Sequence, residues 1–426
     1  MKILVVGSGG REHALVWKLA QSPLVTELAC CPGSDAIGGE GCGSGHHFSP
    51  VHCVSIPVTR AKIIAEYARK YGYDLVVPGP EACLEAGLGD YCRELGIPFA
   101  GPCRRGARVE GSKAYQCQFL QDHAIPSPVG RICWTRKQAH EAAFNFFNHC
   151  AVKADGPTLG KGVHICGDEE EVTSAIERLM VRREYGSAGG CVVIQELQIG
   201  AEVSLHAIID KNTALPLESA CDYKRAGMGD TGPLTGGMGG YSPGRPILDE
   251  SFIQTEILDR FMKGCGSEEI IYRGILYPGL MLTMDGPKVL EFNARWGDPE
   301  AQLLMRRFQG DLATLLSASA TDTLQPDMLA WAPEPAVAIV LASRGYPDTP
   351  ETGKEIFGLE EVWRMPDVKV FHSGTKFVDG RWLTDGGRVL TVTAVGSNAR
   401  AKAYKAARAI SFEGAWYRQD IATHLS

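Results

Sequence analysis

No apolar run in this chain approaches the roughly 18 residues that a membrane-spanning helix requires. The opening "MKILVVGSGG" holds only four consecutive apolar residues before glycine, shorter than a secretory core and with no cleavage-like segment after it, so a cytosolic protein is expected. Excess positive charge is also missing: 43 Lys and Arg against 50 Asp and Glu leave a net charge of −7. That balance argues against a nucleic-acid backbone as the main partner. It leaves room for a local basic site that takes a small phosphorylated ligand. Cysteine is absent after Cys265, and the 14 cysteines of the chain read as reduced, buried thiols, because a large chain without a secretion signal does not need a disulfide framework. One segment, "CGSGHHFSPVHC", gathers Cys42, His46, His47, His52 and Cys53. Its spacing matches no usual zinc arrangement and adjacent pairs cannot easily face one ion, which favours an ordinary loop before the strand "VSIPV". No internal repeat or low-complexity tract is visible.

Two common nucleotide signatures are incomplete. In "KADGPTLGKGV" three residues separate Gly156 from Gly160, and Gly162 follows Lys161. The Walker loop needs four residues there and a hydroxyl after its lysine. In "GSGGREH" Glu12 stands at the third glycine of a dinucleotide fingerprint, and the second strand ends in "ACCPGS" without a ribose-binding acid.

With 426 residues, 44% of them apolar, the chain is long enough for about three domains. "KILVVG", "VTELACC", "YDLVVPG" and "IPFAGP" read as strands that alternate with helical segments "REHALVWKLAQS", "RAKIIAEYARKYG" and "CLEAGLGDYCRELG", the pattern of a doubly wound parallel sheet. Ligands of such sheets lie beyond the strand carboxyl ends, where "GSGGREH", "CPGS" and "PGPE" fall. Backbone amides and Arg11 at that helix start suit a single phosphate, although a tight turn with a surface arginine would read the same way. A helical linker follows from residue 104, then a compact unit of strands and helices, then a long mixed segment rich in glycine between 227 and 240. The remainder alternates like antiparallel strands and closes with the helix "ARAKAYKAARAISF".

The chemistry-bearing residues are far apart in sequence. Lys113 and Lys153 can pair with phosphate oxygens, and Gly156, Gly160 and Gly162 let backbone amides approach them without a Cβ in the way. In "LEFNARW", Glu291 and Asn293 are two apart on a strand and point to one side, offering two hard oxygen ligands to one Mg²⁺ while Leu290 and Phe292 fill the other face. Taken singly, each lysine also reads as a solvated charge, and the strand also reads as a half-exposed edge.

The ordered set "GSGGREHAL", "GPEACL", "EGSK", "KADG…GKGV", "DYKR…GDTGPLTGGMGGYSP", "LYPGLM" and "EFNARWGDPEAQ", with "GGRVLTVTA" beyond it, resembles the ATP-grasp superfamily and, within it, the phosphoribosylamine–glycine ligase family. The resemblance implies an α/β fold. Residues 1–103 would form an N-terminal doubly wound parallel-sheet (pre-ATP-grasp) domain, 104–122 with 195–328 the central ATP-grasp domain, 123–194 a small lid subdomain, and 329–426 a C-terminal α+β domain. It implies ligation of glycine to 5-phosphoribosylamine through a glycyl phosphate, with ATP as co-substrate and Mg²⁺ or Mn²⁺ as cofactor. Small molecules would be the partners, with no nucleic acid or membrane, on a monomer or weak dimer.

By the same resemblance, Gly156, Gly160, Lys161 and Gly162 would belong to a lid over the triphosphate, and Lys113 and Lys153 would contact the ATP phosphates or the adenine edge. Gln195, Glu196, Leu197 and Gln198 would grip adenine, and Glu202 would accept from the ribose. Glu291 and Asn293 would hold the metal. Arg295 would steady the transferred phosphate, with Lys224, Arg225 and Asp298 completing the catalytic set. Gly9, Gly10, Arg11, Glu12, Gly79, Pro80 and Glu81 would bind the phosphoribosylamine, and Asp222, Asp230 and Glu300 would border the acceptor pocket.

The chain departs from the family pattern at Tyr223, where His is usual, and at Leu234, where Asn is usual. Gln195, Ala201, Ser34, Pro157, Thr158 and Leu159 differ as well. Tyr223 and Leu234 keep open a divergent ATP-grasp carboxylate–amine ligase with another acid or amine. A catalytically idle binding protein on the same fold is the third reading, against which the intact lysine and carboxylate set argues.

Overall fold

The computed structural model describes residues 1–40, 51–156, 158, 162–246 and 250–425. At its amino end the apolar strand Lys2–Gly7 lies between Glu27–Pro32 and Leu75–Pro78, and His52–Cys53 extends the sheet, all in parallel register. The first strand turns sharply into the helix Gly10–Leu19, whose start therefore lies at the carboxyl edge of the sheet. The segment read as one helix from Cys83 to Gly96 is two, Glu81–Glu85 and Leu88–Glu94, because Gly87 adopts a left-handed φ of 85° between them. The helical linker is likewise two helices, Arg104–Gly111 and Lys113–Asp122, broken at an extended Ser112 whose hydroxyl caps the second.

The small subdomain is an antiparallel sheet in the order Gly130–Cys133, Val192–Glu196, Cys150–Ala154, Val163–Cys166. Helices Arg136–Asn145 and Glu169–Ile176 cover it through a small apolar core that includes Ala139, Ala143, Val172 and Ile176. The central sheet runs Ala214–Pro216, Ala207–Ile209, Gly274–Thr283, Gly286–Asn293, with Ala201–Ser204 also pairing with the long strand Gly274–Thr283.

The last sheet draws strands from two parts of the chain. Cys221–Asp222 and Gly239–Ser242 stand beside Ala336–Ala342, Arg388–Val395 and Val368–His372 in one five-stranded antiparallel array. The amino-terminal sheet packs against helices Glu300–Arg307 and Leu312–Thr321, and Phe371 enters the same apolar cluster, so the amino-terminal, central and carboxyl-terminal parts share buried surface. All described cysteines are free thiols. Among the described residues no helix is long and apolar enough to cross a membrane.

Candidate active site

One face of the central sheet organises the site. Tyr277 pairs with Asn293, and Gly279 pairs with Glu291 on one side and Ser204 on the other. Directly opposed residues of antiparallel strands project to the same face, so Asn293, Glu291, Tyr277 and Ser204 share it. Phe292 points the other way into the apolar core and is fully buried. Gly279 leaves the middle of this face without a side chain.

Three lysines converge on Glu291. Lys113 Nζ donates to Glu291 Oε2 at 2.8 Å. That ammonium, aided by Lys224 and Lys153, holds the Glu291 carboxyl well below the usual carboxylate range against the opposing effect of burial. Lys153 is 9% exposed and donates to Gln195 Oε1 and, at 3.3 Å, to the carbonyl of Leu290. Burial, with Lys113 beside it, lowers its pKa to about 8. Lys224 pairs with Glu202 at 3.3 Å. Burial opposes its charge, yet Asp222, Tyr277, Glu202 and Glu291 together push its pKa up.

Lys113 begins its helix, and Asp155 fixes that start: Oδ1 accepts from Ser112 Oγ at 2.7 Å and from the amide of Ala114 at 3.1 Å. Asp155 follows Lys153 by two residues in the Gly loop, so the small subdomain positions both lysines at once. Gly156 has φ 123°, a region that favours glycine, and Gly162 donates its amide to Thr158 Oγ1 at 2.9 Å. Pro157, Leu159, Gly160 and Lys161 lie outside the described residues, as do Cys42, His46 and His47. His52 is exposed, and Cys53 Sγ donates to the carbonyl of Ser34 at 3.4 Å.

The residues expected to grip adenine sit at and just beyond the end of the strand Val192–Glu196. Glu196 Oε1 accepts from the Val129 amide and from Gln198 Nε2, both at 2.9 Å, which ties that side chain down and leaves Leu197 and Gln198 just beyond the ladder.

Arg295 stands at the junction with the amino-terminal domain. It pairs with Glu110 at 2.8 Å and lies 3.5 Å from Glu81. Arg11 Nε donates to Glu12 Oε1 at 2.6 Å, and its Nη1 reaches the carbonyl of Trp296 at 3.1 Å. Glu12 also accepts from the Gly9 amide at 2.7 Å. A Cβ at Gly79 would come within 2.2 Å of Glu12 Oε1, so the turn Gly79, Pro80, Glu81 depends on glycine there. A Cβ at Gly10 would lie 2.4 Å from Ser373 Oγ and 2.8 Å from Gln302 Nε2. Gly10 is thus one of the places where the carboxyl-terminal domain touches the first helix.

Asp298 accepts from Gln302 at 2.7 Å and pairs with Arg388 at 3.1 Å. Burial opposes its charge, but Arg388 and Arg11 hold the carboxyl below its ordinary value. Glu300 is 2% exposed and takes Tyr277 Oη at 2.7 Å and Ser204 Oγ at 3.1 Å; the same serine reaches Asp222 Oδ1 at 3.2 Å.

Two expected residues stand apart from this cluster. Arg225 donates to the carbonyl of Gly232 at 2.7 Å across an exposed hairpin, and Asp230 at its tip pairs with Arg418 at 2.8 Å. Sequence reading passed over Arg388, Tyr277, Ser204, Gln302, Glu110, Asp155 and His206. The "GGR" before an alternating strand was a usable signal for Arg388; isolated Ser and Tyr in apolar strands gave none. His206 is buried between Tyr277 and Trp296 and accepts from the Gly297 amide at 3.0 Å, supporting the turn that carries Asp298.

Three family models match consecutive parts of the chain: the phosphoribosylglycinamide synthetase N domain at residues 1–110, its ATP-grasp (A) domain at 111–301 and its C domain at 336–424. The chain belongs to the phosphoribosylglycinamide synthetase family. It is 42% identical to a phosphoribosylamine–glycine ligase of Caulobacter vibrioides, over 99% of this chain and 97% of the relative. It is 40% identical to one of Rhodopirellula baltica, over 98% and 96%. The crystal structure of a Thermotoga maritima phosphoribosylamine–glycine ligase superposes with a TM-score of 0.83 at 31% identity, covering 99% of this chain and 100% of that one. A Hydrogenobacter thermophilus biotin carboxylase domain shares the ATP-grasp fold at a TM-score of 0.73 and 15% identity, over 97% of this chain and 91% of that one.

The two departures from the family pattern take different places. Tyr223 is fixed by the carboxyl-terminal segment: its hydroxyl accepts from the Ala422 amide at 3.0 Å, and Arg418 lies over its ring at 4.8 Å. Leu234 pairs with Arg225 in the hairpin.

Proposed function

We propose that this chain ligates glycine to 5-phosphoribosylamine, consuming ATP and giving glycinamide ribonucleotide, ADP and phosphate. Family membership over nearly the whole chain supports the reaction, and the observation that carries it to these residues is the single sheet face bearing Glu291 and Asn293 with Lys113, Lys153 and Lys224 around it. Phosphoryl transfer asks for charge neutralisation and alignment more than for a protein nucleophile, and this face supplies both. The glycine carboxylate attacks the γ-phosphate, and the amine then takes the acyl group from phosphate.

Glu291 and Asn293 fit a divalent cation: both are oxygen donors, Glu291 is held ionised, and Asn293 Oδ1 has only a 3.4 Å contact from Arg295. Among the described residues no group of three or more His, Cys, Asp or Glu could hold a metal. Two protein oxygens suit Mg²⁺, which keeps waters and shares phosphate oxygens. Bound there, it would neutralise triphosphate charge. Lys113 and Lys153 bind the phosphates, Gln195 to Gln198 receive adenine and Glu202 the ribose. Gly9 to Glu12, with Gly79 to Glu81, take the phosphoribosyl group, and Arg295 joins the two halves.

Tyr223 is held by the carboxyl-terminal segment, which supports glycine as the acid despite the replacement of His. Phosphate release measured with ATP, glycine and phosphoribosylamine tests this reading. Turnover with that trio supports it; absence of turnover, with turnover on another acid or amine, assigns the chain to a divergent carboxylate–amine ligase.

A further inference from the structure

Four oxygens beside the metal-binding face do not have enough protons. Ser204 Oγ lies 3.2 Å from Asp222 Oδ1, 3.1 Å from Glu300 Oε1 and 2.8 Å from Tyr277 Oη, and Tyr277 Oη lies 2.7 Å from Glu300 Oε1. These are four hydrogen-bonding contacts. With both carboxylates charged, the serine and tyrosine hydroxyls supply two hydrogens, one each. A third proton, held on the Asp222 side, adds a third bond to the set.

The two acids are not equivalent. Glu300 is 2% exposed, whereas Asp222 is only partly buried. A proton on Asp222 can therefore exchange with a ligand or with water. Ser204 and Glu291 flank Gly279 in register, so they stand two strand spacings apart, roughly 10 Å, with the gap at Gly279 between them. Lys224 interacts with both Asp222 and Glu291. An acyl phosphate held at the Glu291 side would have room for its carbonyl in that gap, on the side of Ser204 and Asp222.

We propose that Asp222 is the general base that accepts the proton of the attacking amine, with Ser204, Tyr277 and Glu300 as the hydrogen-bonded set that holds it. This rests on the ligase reading above. In the step, the amine lone pair attacks the carbonyl carbon of the glycyl phosphate and a C–N bond forms. The C–O bond to phosphorus breaks, phosphate leaves with the electron pair, and one N–H proton passes to the Asp222 carboxylate and then to water in the cleft.

The groups facing Asp222 set its working range. Burial is the largest influence, and Glu300, Glu202, Tyr277 and Cys221 add negative or potentially negative neighbours, while Lys224 and the Ser204 hydroxyl favour the charged form; the balance raises its pKa to about 7. A base acts when deprotonated, so ligation should fall on the acid side of about 7.

Asp222→Asn tests the role with two nucleophiles. Ligation to phosphoribosylamine, formed in place from ribose 5-phosphate and ammonia, should fall by about 10²- to 10⁴-fold and lose its acid limb. Trapping of glycyl phosphate by hydroxylamine, which sheds its proton to water unaided, should stay within about threefold. Equal loss of both signals overturns the proposal, because Asp222 would then serve glycine binding or phosphoryl transfer. Ligation retained within about threefold overturns it as well. Ser204→Ala keeps the base but removes a hydrogen bond that lowers its pKa, so the acid limb should move to higher pH; an unmoved limb removes Ser204 from the set, and if Asp222→Asn does not fold, an unmoved limb overturns the proposal. Wild-type enzyme that traps hydroxylamine but never ligates phosphoribosylamine sinks the reading of the substrate instead.

Discussion

Lys153 is a residue kept in place against its own stability. Its ammonium is nearly enclosed, and the fall in its pKa from 10.5 to about 8 corresponds to about 3 kcal/mol against the charged form. The folded pKa lies below the unfolded one, so the unfolded chain binds more protons between these values. Stability of the ligand-free protein should therefore rise as pH goes from about 8 toward 10.5. Lys153→Met should melt at a temperature no lower than wild type at pH 7, yet gain nothing from MgATP and show no turnover. Scanning calorimetry with and without nucleotide checks this, and a nucleotide shift kept in the variant would remove Lys153 from the phosphate site. Glu291→Ala should lower metal-dependent turnover by ~100-fold or more while circular dichroism stays native. Near-normal activity would take Glu291 out of the metal site. Both residues were legible in the sequence, Lys153 because it stands near the end of an apolar strand before a glycine loop and Glu291 because it alternates with Leu290 and Phe292 two residues from Asn293. Ser204 and Tyr277 were not, since a hydroxyl in an apolar strand carries no trace of the partners that distant strands bring to it. Arg225 follows Lys224 and Asp230 lies a few residues on, but the hairpin carries them away toward Gly232 and Arg418.

At the scale of elements, the helix Lys113–Asp122 transmits order from one subdomain to another. Its cap Ser112 accepts from the Tyr115 amide at 3.0 Å and donates to Asp155 at 2.7 Å. Ser112→Ala should cost about 1 kcal/mol from the cap alone, and it should also raise the KM for ATP because Lys113 opens the helix and Asp155 belongs to the glycine loop. Urea unfolding and ATP titration read the two effects separately. A loss of stability without a change in KM would limit the cap to a structural role. The parallel strands of the amino-terminal sheet were legible as apolar runs before glycine turns. The pairing of Gly239–Ser242 with Ala336–Ala342 was not, because nearly a hundred residues separate the partners and local pattern does not record which edge a strand joins.

Across the whole molecule, buried histidines tie the domains to pH. The His372 amide donates to His13 Nδ1 at 2.9 Å, so the proton of His13 sits on Nε2, which meets Glu40 at 2.8 Å. Burial, before any other influence, lowers the pKa of His13, His206 and His372. Each folded value lies below the ordinary 6.5, so the unfolded chain takes up protons first and stability falls as pH drops below about 6.5. Urea midpoints at pH 7 and pH 5 should differ, and His13→Asn should narrow the difference. Gly10→Ala drives a Cβ into Ser373 Oγ across the same interface and should lower both stability and turnover, with partial recovery in Gly10→Ala/Ser373→Gly; simple additivity would mean that the contact is not shared.

The five-stranded sheet built from residues on both sides of 329 also determines how the polypeptide can be cut. Fragments 1–330 and 331–426 each carry an unmated edge, Gly239–Ser242 in one and Ala336–Ala342 in the other. Made separately, each would have a template for self-association. Made together, they should reassemble noncovalently into an active ligase, the behaviour of a split-protein reporter.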